Sequence, residues 1–155
     1  MPPNTPLHKQ ISLAFSDLHI ISGEEFRWSP SDRTIYYDEH DPQGNERLLH
    51  ELAHATLGHS KYDRDIELIA LERDAWHHAK TVLAPQFDMT IASDTIEDDL
   101  DTYRDWLHAR STCPSCRATG LQTATKEYTC VACQTVWRVN EAISCGLKRY
   151  TKNAP

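Results

Sequence analysis

His50 and His54 flank Glu51 in an H-E-x-x-H arrangement inside the stretch Glu46 to His59. On a helix, side chains four residues apart stack on one face, so both imidazoles can reach one Zn²⁺ at about 2 Å. Glu51 projects from the edge of that face, where a carboxylate can accept a proton from activated water without being a ligand itself. The chemistry is metal-assisted hydrolysis. A catalytic zinc needs a third protein ligand and an open position for water. Glu67 and Glu72 compete for that third place. Glu72 sits in an apolar stripe with Leu68, Ile69, Ala75, Trp76 and Ala79, whereas Glu67 shares its face with Arg64 and Asp74. A carboxylate on a core face is costly unless something positive meets it. Zinc held by His50 and His54 is such a partner, which selects Glu72; an ion pair with Arg47 or Arg73 is the plainer alternative.

The second constellation is Cys113-Pro-Ser-Cys116 followed by Cys130-Val-Ala-Cys133. Two C-x-x-C knuckles at this separation signal a zinc ribbon: each knuckle aims two thiolates at one tetrahedral ion, and Gly120 to Tyr128 forms a hairpin between them. Four thiolates make a closed, structural site. Disulfide pairing is the alternative, and it belongs to oxidising compartments. Cys145 is left over.

These groups need elements to hold them. Leu48, Leu49, Leu52, Ala53 and Leu57 are helix formers at core spacing around the two histidines, and Gly58 is a stop signal. Residues 65 to 83 read as a second helix closed by Pro85, joined to the first through the polar turn His59 to Arg64 as an antiparallel hairpin. Leu7, Ile11, Ala14, Phe15 and Leu18 have the period of a packing helix. Phe26 to Tyr37 reads as a hairpin whose second strand, Thr34 to Tyr37, offers a free edge to an extended peptide. Ile35, Tyr36 and Tyr37 are therefore candidate substrate-binding residues. His59 is a candidate transition-state residue, together with Tyr36, Tyr37, His77 and His78, and an imidazole there can equally cap the helix terminus. Ile96, Leu100, Tyr103 and Leu107 mark an amphipathic helix over 93 to 110, whose first turns carry a solvated acidic cluster without EF-hand spacing.

The fold class implied is α+β, with one modest domain over residues 1–110 and a cysteine module with a basic tail over 111–155. Charge divides along the same line. Residues 1–109 hold 9 Lys+Arg against 21 Asp+Glu, a balance of −12, and residues 110–155 hold 7 against 2, a balance of +5. The basic tail with Trp137 and Tyr150 is a candidate nucleic-acid contact, a protein-docking surface, or a patch quenched by the chain's own acidic helix. There is no apolar run long enough to span a membrane and no apolar signal core, so a cytoplasmic protein with no membrane partner is expected.

His50-Glu51-x-x-His54 with Gly58-His59, then Glu72-x-x-Ala75-x-x-x-Ala79 and Leu83-Ala84-Pro85, resembles the ImmA/IrrE family of intracellular zinc metallopeptidases over about residues 30 to 85. The chain departs from that pattern at His78-Ala79, where Phe-Ala is usual, and in its Leu-Ala-Pro stop. The resemblance implies a zincin-like core with an H-E-x-x-H helix, a second helix carrying the glutamate ligand, and a small β-sheet. It also implies gluzincin-type peptide hydrolysis, often of a helix-turn-helix transcriptional repressor. A SprT-like protease acting on DNA-bound proteins also joins this motif to a zinc ribbon, but its third ligand is usually histidine. A non-catalytic adaptor that presents the ribbon is the alternative of another class. The expected cofactors are two zinc ions, one catalytic and one structural.

Overall fold

The structure, a computed structural model, describes residues 2–141 and 146–152; Cys145 lies outside the described residues. The architecture is α+β with two small sheets. The chain forms two compact units, Met1–Lys61 with Leu71–Ile96, and Tyr62–Ala70 with Glu97–Pro155. Compactness therefore groups the start of the second long helix, and most of the last, with the cysteine module, whereas the charge boundary falls at residue 110.

In the first unit, α1 (Leu7–Ala14) buries Leu7 and Ile11. Strands β1 (His19–Ser22), β2 (Arg27–Ser29) and β3 (Thr34–Tyr37) follow, in the order β1-β3-β2. β2 and β3 form the expected antiparallel hairpin, with Trp28 opposite Ile35. β1 then pairs in parallel with β3, His19 against Thr34 through Ser22 against Tyr37. That pairing corrects one expectation. β3 is the central strand, its backbone is engaged on both sides, and Ile35 is wholly buried in the core. Thr34 to Tyr37 thus has no free edge for a peptide, and the free edges of this sheet belong to β1 and β2.

α2 (Gly44–Leu57) carries the H-E-x-x-H motif and ends where Gly58 turns into the left-handed region at φ 70°. Glycine adopts that conformation without the Cβ penalty other residues meet. Its buried face is Leu48, Leu49, His50, Leu52, Ala53 and His54, so the two histidines lie within the core stripe. The helical run that α3 (Asp65–His78) begins does not stop at residue 83. It runs into a π-helical segment, Ala79–Leu83, and then the single turn α4 (Ala84–Gln86), which contains Pro85. Pro85 stands in the first turn of α4, where a missing backbone N–H costs least.

In the second unit, α5 (Ser93–Ser111) contributes its residues from Glu97 onward and buries Leu100 and Arg110. The sheet that follows has the order β4-β5-β6-β7, with β4 (Leu121–Ala124), β5 (Glu127–Thr129), β6 (Val136–Val139) and β7 (Arg149–Thr151) all antiparallel. Its core is Cys113, Tyr128, Cys130, Trp137 and Val139. Gly120 is required there. A Cβ on it would stand 2.4 Å from Cη2 of Trp137 and 3.1 Å from the Thr129 carbonyl. The indole cannot retreat, because it is wholly buried, stacks on Tyr128 and donates its N–H to the Arg110 carbonyl at 2.9 Å. Gly120→Ala is expected to cost about 1–3 kcal/mol through overpacking; urea unfolding followed by tryptophan fluorescence measures it, and an unchanged midpoint would contradict this account.

Candidate functional site

α2 and α3 supply the side chains of the first constellation, all within the first unit. His50 and His54 lie one turn apart, and Glu72 reaches both from α3. Nε2 of His50 is 2.8 Å from Oε2 of Glu72 and 3.1 Å from Nε2 of His54, and His54 Nε2 lies 3.3 Å from Oε1 and 3.4 Å from Oε2 of the same carboxylate. Ligand atoms about 2.05 Å from one tetrahedral ion would stand roughly 3.3 Å apart, so this is the spacing a zinc-sized cation produces. The three residues are buried, and their polar atoms form a set that could hold a metal ion. Two ring nitrogens facing each other beside a buried carboxylate are poorly matched among themselves, because a proton satisfies one pair and leaves a lone pair opposed. A cation satisfies all three.

Burial alone would raise the Glu72 carboxyl, but hydrogen bonds and charge from His50 and His54 outweigh it and hold it at about 2. It is an anion at neutral pH. The arginine alternatives are engaged elsewhere: Arg47 approaches Asp41 at 3.6 Å and Arg73 pairs with Asp74 at 3.4 Å. Glu67 is exposed and accepts the backbone N–H groups of Asp63 and Arg64, at 2.9 and 3.3 Å, which caps the start of α3.

Glu51 lies half-buried on α2. Burial pushes its carboxyl up and the Glu72 charge adds to this. His50, His54 and a hydrogen bond from the Trp28 backbone N–H pull the other way, without cancelling the burial. The Trp28 contact places the edge strand β2 beside Glu51. Trp28 also donates its indole N–H to the His59 carbonyl at 3.0 Å. His59 Nδ1 is 3.0 Å from His54 Nδ1. Burial lowers the His59 imidazole, and the neighbouring His54 adds to that.

Three supporting residues were not singled out from the sequence: Trp76, which stacks on the His50 ring with centroids 4.2 Å apart, Trp28, and Asp65. Trp76 carried a readable signal, since it lies one helical turn beyond Glu72 on the same face. The tyrosines of β3 have partners other than His50 and His54. Tyr36 packs beneath the Arg27 guanidinium at 4.6 Å, and Tyr37 stacks on His8 at 5.4 Å.

The second constellation belongs to the second unit. Its two knuckles are geometric copies. Arg117 N–H donates to the Cys113 carbonyl and Gln134 N–H to the Cys130 carbonyl, both at 3.0 Å; Cys113 N–H donates to Ala118 and Cys130 N–H to Thr135, both at 2.8 Å. Arg117 and Gln134 each turn through the left-handed region, at φ 66° and 65°. Sγ of Cys113 is 3.6 Å from that of Cys133, and Cys116 is 3.5 Å from Cys130, far beyond a disulfide bond and close to the roughly 3.8 Å edge of a zinc thiolate tetrahedron. All four are free thiols, and the cluster is consistent with a zinc ribbon. Cys113 is drawn down to about 6, since hydrogen bonds outweigh its burial, whereas neighbouring thiols drive Cys116 up to about 12 against a hydrogen bond from Ala118. Crowded thiols cannot all ionise without a cation among them.

A buried knot ties this module to the start of α3. Asp65 accepts Arg110 Nε at 2.8 Å and the Tyr128 hydroxyl at 2.6 Å on one carboxylate oxygen, and its backbone N–H donates to the Gln122 side chain at 2.7 Å. Several basic groups of the +5 segment are used internally. Lys126 pairs with Glu141, Lys152 with Glu127, Arg149 donates to the Thr112 carbonyl, and Arg138 lies over the Tyr150 ring. Among the described residues, no helix is long and apolar enough to cross a membrane.

Comparison with curated proteins and with solved structures gives no match. The family model described as IrrE N-terminal-like domain, Peptidase_M78, matches residues 8–109, the span that carries His50, Glu51, His54 and Glu72, and the chain belongs to that family, which points to a metallopeptidase-like role.

Proposed function

We propose that the chain is a zinc-dependent endopeptidase that hydrolyses a peptide bond in a protein substrate, with a helix-turn-helix transcriptional repressor as the first substrate to try. The observation that carries this reading is the convergence of His50, His54 and Glu72 on one point, next to a half-buried Glu51 that is not part of that set. His50, His54 and Glu72 would hold the ion. Zinc bound there supplies a Lewis acid that polarises a carbonyl and makes water more acidic. Glu51 takes the proton from the attacking water and returns it to the nitrogen of the leaving amine. Its raised proton affinity suits both transfers. β2 is the free sheet edge beside Glu51, which favours an extended substrate backbone running along it rather than along β3. Cys113, Cys116, Cys130 and Cys133 would hold a second, structural zinc. Four free thiols with this spacing fit a reducing cytoplasmic compartment.

The test is cleavage of purified repressors and of an unfolded protein, with zinc counted per chain. Chelation should abolish cleavage and added zinc restore it. Glu72→Ala should reduce bound zinc from two to one and remove activity. Two zinc ions retained in that variant would show that the carboxylate is not a ligand.

A further inference from the structure

The two histidines of the candidate metal centre are aimed by different means. His50 stacks on Trp76 at a 21° interplanar angle, and its Nδ1 is buried without a hydrogen-bond partner among the described residues. His54 is aimed by another imidazole. After α2 ends at Gly58, the chain folds back so that the His59 backbone N–H donates to the His54 carbonyl at 3.0 Å, and the side-chain Nδ1 atoms meet at 3.0 Å. Trp28 fixes the far side of this turn through its indole N–H on the His59 carbonyl. His59 is therefore held in place by its backbone on both sides, with its ring turned edge-on to His54 at 65°.

A hydrogen bond between two Nδ1 atoms requires one to carry the proton and the other the lone pair. If His59 donated, neutral His54 would carry its proton on Nε2, the atom that faces His50 and Glu72, and could not ligate a metal there. If His54 donates, its Nε2 lone pair is free and His59 carries its own proton on Nε2. Metal-ligating histidines commonly donate their second N–H to an oxygen acceptor, which sets the tautomer and the ring orientation. Here the acceptor is an imidazole nitrogen.

We propose that His59 is a positioning residue: it accepts the Nδ1 proton of His54 and so selects the tautomer and ring angle in which His54 Nε2 binds metal. This rests on the peptidase reading of the site, but it concerns metal affinity rather than turnover.

The experiment measures zinc affinity by chelator competition on the full chain, separating the centre at His50, His54 and Glu72 from the cysteine site by stoichiometry. His59→Leu should weaken the first by about 10–100-fold and leave the second unchanged. His59→Asn places an amide oxygen close to the position of Nδ1 and should recover most of the loss. Unchanged affinity in His59→Leu would overturn the proposal, and if cleavage still fell, His59 would be touching the substrate or its transition state instead. Nitrogen NMR of the wild-type zinc form supplies a reading that does not depend on a variant folding: His54 should show a protonated Nδ1 and a metal-bound Nε2, and the reverse assignment refutes the idea. A wild-type chain that binds no zinc at the histidines would defeat the peptidase reading itself, and is distinguishable from the other outcomes because no variant is involved.

Discussion

If the chain is the zinc peptidase proposed, Glu51→Gln will keep the two zinc ions and lose peptide-bond cleavage by about 10²- to 10⁴-fold, the usual contribution of a positioned general acid and base. The substitution is close to isosteric, and the glutamine carbonyl can still accept the Trp28 backbone N–H that reaches the carboxylate in the parent chain. What it cannot do is take a proton from water. His50, His54 and Glu72 are untouched, so metal content separates this effect from loss of the site. Steady-state cleavage, zinc per chain and thermal unfolding on one preparation settle the matter. Cleavage at the parental rate would remove Glu51 from the mechanism.

Disruption of the cysteine site carries the largest expected effect on stability. Structural zinc in small cysteine modules contributes an apparent 10–16 kcal/mol, which equals or exceeds the 5–15 kcal/mol that stabilises a typical domain. Cys130 is wholly buried beside Tyr128 and Trp137, so Cys130→Ser removes a thiolate and leaves a hydroxyl in that core. We expect this variant to bind one zinc ion fewer and the second unit to lose cooperative unfolding. Trp137, buried and stacked on Tyr128, reports the change through a red shift of its fluorescence. The Tyr128 and Arg110 contacts to Asp65 should loosen with it, exposing amides near the start of α3 to hydrogen exchange. A variant that lacks the second zinc and still unfolds cooperatively, with Trp137 buried, would show that the apolar core alone holds the unit.

Much of the site is local in sequence and was legible there. H-E-x-x-H puts two imidazoles on one face because a helix repeats every 3.6 residues, and nothing outside α2 changes that. The choice of Glu72 over Glu67 followed from the same period, since only Glu72 lies in the apolar stripe; the fold buries it and leaves Glu67 capping a helix. The knuckle pattern needed only the spacing of four cysteines. The β2-β3 hairpin was readable from a turn between two β-rich runs.

β3 shows what local pattern does not encode. A strand's residues say that it is extended, but whether it is an edge depends on a partner elsewhere in the chain, here β1, which pairs in parallel with β3 from His19 against Thr34 to Ser22 against Tyr37. The boundary at Pro85 moved for a local reason: the chain starts a further turn, α4, with Pro85 in its first turn, where proline is tolerated. The knot of Asp65, Arg110 and Tyr128 joins positions 45 and 63 residues apart, which no local pattern encodes.

Residue type and short-range periodicity by themselves determined the donors: which imidazoles, thiols and carboxylates share a helix face or a knuckle, and so could hold a cation. Tertiary structure alone decided what surrounds them: that β2, whose Trp28 N–H reaches Glu51, is an edge strand and β3 is not, that Trp76 braces one imidazole, and that His59, held by Trp28, meets the other. Backbone geometry repeats over a few residues and can be counted along a chain. Aim, burial and the protonation of a ring nitrogen depend on atoms brought together from distant positions, and these exist only once the chain has folded.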